Sequence, residues 1–246
     1  MKIQGAELLL RLLEENGVEI IVGIPGGANL PIYNALSKSR IRHILARHEQ
    51  GAGFIAQGMA RSTGKPAVCL ATSGPGATNI LTAIADAKLD STPIIAITGQ
   101  VPTSLLGTNA FQEVDTFGMT LPITKKNYIV RNIQDLPGII KEAFFIATAG
   151  RPGPVVIDIP KDIQTAIIDI GEPQSIYNCQ ATNICRNFPN KNENTVIDGL
   201  SIELIKEIVD KINNSLRPIL YIGGGIKHSN ASGILYKFAK KNSIPV

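Results

Sequence analysis

The segment AVCLATSGPGATN, residues 67–79, decides how the rest of the sequence is interpreted. It runs from an apolar stretch at 67–71, through the glycine-containing loop SGPG at 73–76, into a helix-length segment that ends at Lys88. A short apolar run bounded by turn residues predicts a buried strand that leads directly into a helix. The loop lacks the Lys-Ser/Thr ending of a P-loop, which argues against nucleotide hydrolysis. It is either a tight connection between strand and helix or a loop whose backbone amides bind a polar ligand.

The same strand, loop and helix order repeats through the first two thirds of the chain. It predicts an α/β fold with a doubly wound, mostly parallel sheet and helices on both faces, in which ligands bind in the loops that follow the strands. The predicted strands are Glu19–Val22, Ile41–Leu45, Ala67–Ala71, Ile94–Thr98 and Val155–Ile159, and the predicted helices are Ala6–Leu13, Asn29–Ser37, Gln50–Ser62, Ala77–Lys88 and Asp135–Ala149.

The pattern changes in the last third of the chain. The stretch at 178–194 is polar and rich in Asn, which is typical of a linker or a long loop. Beyond it, a helix at Ile202–Ile212, a strand at Ile219–Ile222 and a helix at Ser229–Lys241 predict the start of a second α/β domain. We therefore expect a domain at 1–162, a linker at 163–199 and, at 200–246, the first part of a second domain that continues beyond this chain.

Composition excludes several classes of protein. Apolar residues make up 44% and charged residues 18%, which is ordinary for a globular protein. The net charge is +4, but the basic residues are scattered, so we expect no nucleic-acid partner. Cys69, Cys179 and Cys185 form no CxxC pair, which argues against a disulfide framework and a zinc site. With no apolar run of about 18 residues, we expect a cytoplasmic protein without membrane contact.

Several loop residues are candidates for chemistry by position alone. Glu49 follows the second predicted strand, where its carboxylate either meets a ligand or interacts with the dipole of its helix. Gly26 and Gly27 follow the first strand and allow close approach of the backbone to a ligand, although Gly-Pro turns are common there. Taken singly, Arg151 and Lys161 are typical surface charges. Single residues therefore do not identify a function, and only the combination of motifs along the chain can do so.

The combination is an ordered set of motifs. They are PGG at 25–27, RHEQ at 47–50, TSGPGATN at 72–79, ITGQVP at 97–102, GTNAFQE at 107–113, GRPGPVVIDIPKD at 150–162 and LYIGGG at 220–225. Their order and spacing closely resemble the pyrimidine-binding N-terminal portion of the acetolactate synthase catalytic subunit, a thiamine-diphosphate-dependent family. The resemblance covers essentially the whole chain. It implies a transferase that decarboxylates pyruvate and condenses the hydroxyethyl unit with a second 2-oxo acid in branched-chain amino-acid biosynthesis.

The resemblance also implies roles for individual residues. Glu49 is implied as the proton relay to the aminopyrimidine ring, and Gln112 as a catalytic residue that faces cofactor and substrate. Ser91, Arg151 and the glycine triplet at 223–225 match positions that contact FAD. The implied cofactor contacts are Glu49, Gln112, Gly26, Gly27, Ser91, Arg151, Gly223, Gly224 and Gly225, and the implied substrate pocket is Ala28, Pro102, Phe111 and Lys161.

The implied cofactors are thiamine diphosphate, Mg²⁺ and FAD. In the resembled family, a third domain holds the Mg²⁺ and the diphosphate. We therefore expect that the metal ligands lie outside this chain and that the chain is incomplete for catalysis. Asp198-Gly199 followed by Asn213-Asn214 imitates that metal motif only superficially and is rejected. The implied partners are small 2-oxo acids and a second copy of the complete enzyme, which can also bind a small regulatory subunit.

Two alternatives stay open at this point. One is a related pyruvate oxidase or oxalyl-CoA decarboxylase, against which RHEQ and GTNAFQE argue. The other is a non-catalytic remnant that at most binds a partner subunit or a flavin. One departure from the family is Asn109, where the resembled motif usually has Asp, so any hydrogen bond made by that carboxylate changes here.

Overall fold

The computed structural model describes residues 2–169 and 201–246, and the chain divides into two compact units. The first unit is Met1–Phe188 and the second is Pro189–Val246. Cys179, Cys185, the polar stretch at 178–194 and Asp198-Gly199 lie outside the described residues.

The described residues alternate between strands and helices. The strands are β1 (Lys2–Gln4), β2 (Ile20–Gly23), β3 (Arg42–Leu45), β4 (Ala67–Ala71), β5 (Ile94–Gln100), β6 (Lys126–Ile129), β7 (Val155–Pro160) and β8 (Ile167–Asp169). The helices are α1 (Gly5–Glu15), α2 (Leu30–Leu36), α3 (Glu49–Thr63), α4 (Pro75–Leu89), α5 (Thr116–Thr120), α6 (Leu136–Thr148), α7 (Lys161–Thr165), α8 (Ile202–Asn213), α9 (Gly224–His228) and α10 (Ser232–Asn242). Across both described ranges, no helix is long and apolar enough to cross a membrane.

Six of the strands form one parallel sheet in the order β3-β2-β4-β5-β7-β6. The five predicted strands of the first domain all belong to it, so the predicted fold class is confirmed. The chain runs from β2 outward to β3 and then returns to place β4 on the other side of β2. This reversal makes the boundary between β2 and β4 a topological switch point, where ligands of open α/β sheets bind beyond the carboxyl ends of the strands.

Alternating side chains of the strands build two different cores. Val68 and Leu70 of β4 face a core of large aliphatic residues from α1, α2 and α6. Ala67, Cys69 and Ala71 of β4 face the opposite core, to which α3 contributes alanines and α4 contributes Ile80 and Ile84. In β4, the period-two alternation of the strand therefore places the larger side chains on one face and the smaller ones on the other.

Small residues let α3 and α4 approach each other closely. A Cβ atom on Gly53 of α3 would lie 2.5 Å from the Cβ of Ala83 in α4. The Gln57 side chain donates a hydrogen bond of 2.8 Å from Nε2 to the Ala83 carbonyl at the same crossing. The amino end of α3, which begins with Glu49, is therefore fixed against α4 and the sheet.

The ends of the described first unit are joined by a small second sheet. β1 and β8 pair antiparallel with Ile3 opposite Ile168, and the amide of Gly5 donates to the Ala166 carbonyl at 2.9 Å. The structure thus continues past residue 162 through α7 and β8, both within the first unit. The division of the chain at 162 and 199 stays a prediction.

The second unit contains three helices in its described part. The helix predicted at 202–212 is confirmed as α8, which begins after Ser201, whose hydroxyl accepts the Leu204 amide at 3.2 Å. The strand predicted at 219–222 is wrong, because no strand is present in residues 201–246. Leu220 makes one backbone hydrogen bond to the Pro245 carbonyl, and a single bond does not constitute a ladder.

Two glycines of α3 give a matched test of the close helix crossing. Gly58 has nothing within 4 Å of a built Cβ, unlike Gly53. We expect Gly53→Ala to lower the free energy of unfolding by about 1 to 3 kcal/mol through overpacking. Gly58→Ala should raise it by about 0.5 to 1 kcal/mol, because alanine loses less backbone entropy in a helix. Urea unfolding of both variants measures this, and equal effects would contradict the crossing geometry.

Candidate cofactor and substrate site

Two loops meet at the switch point of the sheet. The loop after β2 contains Gly26, Gly27 and Ala28, and the loop after β4 begins with Thr72. The Ala28 amide donates to Thr72 Oγ1 at 3.3 Å, and a Cβ on Gly26 would lie 2.6 Å from the Thr72 side chain. A Cβ on Gly27 would meet nothing within 4 Å. Gly26 is therefore needed for packing between the loops, whereas Gly27 borders open space.

Glu49 lies beside these loops as the first residue of α3. His48 caps the helix by accepting the Gln50 amide on Nδ1 at 3.1 Å, which fixes where the helix begins. The half-buried Glu49 carboxylate accepts a hydrogen bond of 3.0 Å on Oε2 from Nδ2 of Asn79 in α4. Within the described residues this is its only side-chain partner, so Oε1 is available to a ligand. Gly76 of α4 packs close by, where a Cβ would lie 3.5 Å from that Oε1.

The loop that contains Gln112 packs onto the loop after β4. Gly74 has φ 55°, and a Cβ there would lie 2.6 Å from the Gln112 carbonyl oxygen. Gln112 itself has φ 57°, a left-handed conformation that is uncommon for a residue with a side chain. The main chain of Gln112 is therefore held at the switch point, and its side chain is exposed.

Glu113 closes the segment at 107–113 into a compact loop. Its carboxylate accepts hydrogen bonds from the Gly107 amide and, at 3.0 Å, from the Ala110 amide. These amides, that of Gly107 above all, lower the pKa of Glu113. Asn109 within the loop has φ 58°, a conformation that Asn and Asp both adopt readily. The replacement of Asp by Asn is therefore compatible with this backbone.

The remaining predicted pocket residues lie along the same carboxyl edge. Phe111 is 88% exposed, which is unusual for a large aromatic side chain and leaves its ring free for a ligand or a partner. Pro102 precedes a short 3₁₀ turn at Thr103–Leu105 directly after β5. Lys161 begins α7 directly after β7, with its side chain exposed.

Ser91 and Arg151 are brought together at the opposite edge of the sheet. The Arg151 guanidinium donates from Nε to Ser91 Oγ at 2.7 Å and from Nη2 to the Leu89 carbonyl at 2.8 Å. Both residues precede strands, β5 and β7, and so lie at amino ends, whereas Glu49 follows a strand. Gly223, Gly224 and Gly225 lie in the second unit, where Gly223 caps α9. Their membership in the same flavin site stays a prediction.

Asp158 forms a buried polar cluster that the sequence does not reveal. It lies in the middle of β7 and accepts hydrogen bonds from Thr98 Oγ1 at 2.7 Å and from Gln100 Nε2 at 2.9 Å. Gln100 Nε2 also donates to the Val114 carbonyl at 3.1 Å, just after the loop at 107–113. Burial, with a smaller contribution from the charge of Asp115, raises the pKa of Asp158 to about 7 against these hydrogen bonds. The cluster ties the Gln112 loop to the sheet.

Tyr33 and His43 form a second pair without a sequence signal. Their rings meet edge to face with centroids 5.0 Å apart. The Tyr33 hydroxyl and His43 Nε2 are buried and have no hydrogen-bond partner in the described part of the chain. Burial raises the pKa of Tyr33, and the nearby Cys69 and Glu49 add to the rise. A neutral Tyr33 therefore adds no charge to the surroundings of Glu49.

These residues fit one half of a thiamine-type cofactor. Glu49 offers a half-buried carboxylate whose Oε1 has no partner among the described residues, which suits a protonated ring nitrogen. Within residues 2–169 and 201–246, no group of three or more His, Cys, Asp or Glu residues is placed to hold a metal ion. The described residues thus fit the pyrimidine ring of such a cofactor.

Comparison with known proteins agrees with this geometry. Residues 3–119 match the family described as "Thiamine pyrophosphate enzyme, N-terminal TPP binding domain". The acetolactate synthase isozyme 1 large subunit of Escherichia coli is 55% identical over 245 residues, which cover 99% of this chain and 41% of that protein. The large subunit of Corynebacterium glutamicum is 47% identical over 246 residues, covering 100% of this chain and 37% of that protein. The chain spans about two fifths of the length of these relatives.

The buried Asp158 carboxyl should make stability depend on pH. Because its folded pKa of about 7 lies above the ordinary 3.8, the folded state holds the proton more tightly, and stability falls as the pH rises through this window. Relative to Asp158→Asn, the wild-type protein should lose on the order of 1 kcal/mol per pH unit between about pH 5 and pH 7. Urea unfolding across this range tests it, with Asp210→Asn on the exposed α8 as control. Parallel pH profiles for wild type and Asp158→Asn would contradict the assignment.

Proposed function

This chain is a relative of acetolactate synthase large subunits whose residues 3–119 form a thiamine pyrophosphate enzyme N-terminal domain, and from this premise we propose that it binds the aminopyrimidine half of thiamine diphosphate. We further propose that the complete protein is a transferase, which decarboxylates pyruvate and condenses the two-carbon unit with a second 2-oxo acid in branched-chain amino-acid biosynthesis.

The observation that carries this proposal is the placement of Glu49. Its carboxylate lies at the carboxyl edge of the sheet, half-buried, with Oε2 engaged by Asn79 and Oε1 free of described partners. A surface glutamate that only complements a helix dipole does not need a side-chain donor from a neighbouring helix to orient it. Because Asn79 fixes Oε2 of Glu49, Oε1 of the same carboxylate also has a fixed direction. Proton transfer requires such a fixed geometry.

The chemistry divides between the cofactor and this chain. Bound thiamine diphosphate supplies the electron sink that makes decarboxylation possible. Glu49 shares a proton with the pyrimidine ring nitrogen, and Asn79 keeps that carboxylate in place. Gly26 lets the loop after β2 lie against Thr72, and Gly27, where a Cβ would meet nothing within 4 Å, would let the backbone of this loop approach a bound ring.

Substrate contacts are part of the same proposal. Lys161 supplies an exposed ammonium group at the carboxyl edge, which favours anionic 2-oxo acids. Gln112 and the exposed Phe111 come from the loop at 107–113, and Ala28 and Pro102 come from the loops after β2 and β5. The loop after β2, the long connection after β5 and the first residue of α7 would thus contribute to one pocket. Its charge suits a carboxylate substrate, and its exposed aromatic ring suits an apolar chain.

The finer cofactor and partner assignments are also proposals. We propose flavin contacts for Arg151 and Ser91 in the first unit and, taken by themselves, for the glycines at 223–225 in the second unit, and Mg²⁺ would bind the diphosphate through groups other than the described residues. A second copy of the complete protein and a small regulatory subunit are the proposed partners. The buried free thiol of Cys69 is consistent with a reducing compartment, for which we propose the cytoplasm.

Substitution of Glu49 tests the proton relay. In the full protein, Glu49→Gln keeps the size of the side chain and removes its basicity, so acetolactate formation should fall on the order of 10²- to 10⁴-fold. Thermal unfolding should remain close to that of the wild type. Glu19→Gln is the matched control, because Glu19 is exposed just before β2 at the amino edge. Wild-type rates of acetolactate formation by Glu49→Gln would exclude Glu49 as the relay.

Substitution of Arg151 tests the flavin assignment separately. Arg151→Ala removes an exposed guanidinium that still has donors beyond those used by Ser91 and Leu89. We expect the Kd for FAD, measured by flavin fluorescence titration of the full protein, to rise at least tenfold. Arg131→Ala provides a control at another exposed arginine of the same unit. An unchanged Kd in Arg151→Ala would remove Arg151 from the flavin site.

A further inference from the structure

The short helix α7 contacts two of the loops that contribute to the proposed pocket. We propose that Asp162 and Gln164 are positioning residues, here called the α7 clamp, which hold the loops of Pro102 and Ala28 in fixed positions relative to Lys161. This inference rests on the proposed function for its catalytic consequence. Its structural part concerns only contacts within this chain.

Gln164 fastens the loop after β2. Its side chain is 1% exposed, and its Nε2 donates to the Ala28 carbonyl at 2.7 Å and to the Ile159 carbonyl at 2.7 Å. Ile159 belongs to β7, so one amide group joins the loop to the sheet. The Ala28 carbonyl also lies where a Cβ on Gly99 would be only 2.5 Å away, which leaves no room for the loop to shift toward β5.

Asp162 fastens the loop after β5. Its Oδ1 accepts the Thr103 amide at 3.0 Å, and its Oδ2 accepts the Thr103 hydroxyl at 2.5 Å. Two hydrogen bonds to one carboxylate define both the distance and the orientation of the loop, and bonds to a charged acceptor are the stronger kind. Thr103 follows Pro102 directly, so the position of that ring is set by the same contact.

Helix α7 itself is packed against α1 and the hydrophobic core. Ile163 is buried in the core, and a Cβ on Gly5 of α1 would lie 2.1 Å from the Ile163 carbonyl oxygen. Pro160 ends β7 immediately before Lys161 and limits the rotation of the connection. The α7 clamp can position the loops only if α7 is fixed independently of them. Its contacts with α1 and with the sheet meet this requirement.

An incompletely bonded amide distinguishes positioning from ordinary packing. Gln164 Oε1 is buried and has no hydrogen-bond partner in the described part of the chain. A buried acceptor without a partner lowers the stability of the folded state, whereas an apolar side chain of similar size avoids that penalty. Gln164 therefore positions the Ala28 carbonyl, although its unsatisfied oxygen lowers the stability of the fold.

Amide hydrogen exchange tests the clamp without any measurement of activity. In the full protein, Asp162→Ala should accelerate exchange of the peptide at 101–106 by tenfold or more, because the Thr103 amide loses its acceptor. Asp162→Asn should restore slow exchange, since its amide oxygen accepts the same bond and its nitrogen can donate to the hydroxyl. Thr165→Ala is the control on the same helix, where the hydroxyl bonds only to carbonyls of α7.

Steady-state kinetics test the consequence for the pocket. Asp162→Ala and Gln164→Met should raise the KM for pyruvate about tenfold, while exchange of the acidic thiazolium proton of the bound cofactor, followed by NMR, stays at the wild-type rate. Glu49→Gln should show the opposite pattern, with slow proton exchange. Asp162→Asn should retain the wild-type KM. If the clamp only stabilises the fold, these substitutions should instead lower the melting temperature and leave the KM for pyruvate unchanged in the folded fraction of the protein.

The two proposals fail in different ways. If wild-type protein neither forms acetolactate nor exchanges the thiazolium proton, the proposed function is wrong, and the exchange of residues 101–106 still decides whether Asp162 holds its loop. If wild-type protein is active and the KM for pyruvate is unchanged in both Asp162→Ala and Gln164→Met, the clamp is wrong. Should Gln164→Met fail to fold, the comparison of Asp162→Ala with Asp162→Asn decides alone.

Discussion

The reversal of the chain between β2 and β4 is the constraint on which the rest of the site depends. Because β3 lies outside β2 and β4 lies inside it, the loops that leave β2 and β4 diverge and open a crevice at the carboxyl edge. Thr72 joins the two loops at its base through Ala28 and Gly26. Glu49 reaches the crevice only because α3 crosses α4 at Gly53, where the helices have no bulky side chains between them.

Buried polar side chains, not apolar ones, fix the loops around this crevice. Asp158 and Gln100 hold the end of the Gln112 loop, and Gln164 holds the Ala28 loop. All three make directional contacts that an apolar residue cannot make, and two of them have an electrostatic cost, a raised carboxyl pKa at Asp158 and an unsatisfied oxygen at Gln164. Such costs are expected where geometry matters more than stability.

Much of the fold, and less of the site, can be predicted from the sequence. β4 is found at the predicted residues because turn residues bound its apolar run, and Glu49 is found at a strand end because parallel strands place their loops on one edge. β6 escapes prediction because its polar Asn127 is buried only by bonding to Phe117 and Thr120. Asn79 and Gln164 escape too, since their partners are 30 and 136 residues distant and no local pattern marks them.

The two proposed cofactor sites of this domain lie at opposite edges of the sheet. Glu49 lies at the carboxyl edge and Arg151 at the amino edge, and β5, a strand of seven residues, spans about 20 Å between these edges. Charge changes at one edge are therefore strongly screened at the other. Because joining two 2-oxo acids with loss of carbon dioxide involves no net redox step, a flavin at the amino edge needs no electron path to the crevice. In the proposed arrangement, its contacts with Arg151 and Ser91 would stabilise structure, while Glu49 would carry the proton transfer.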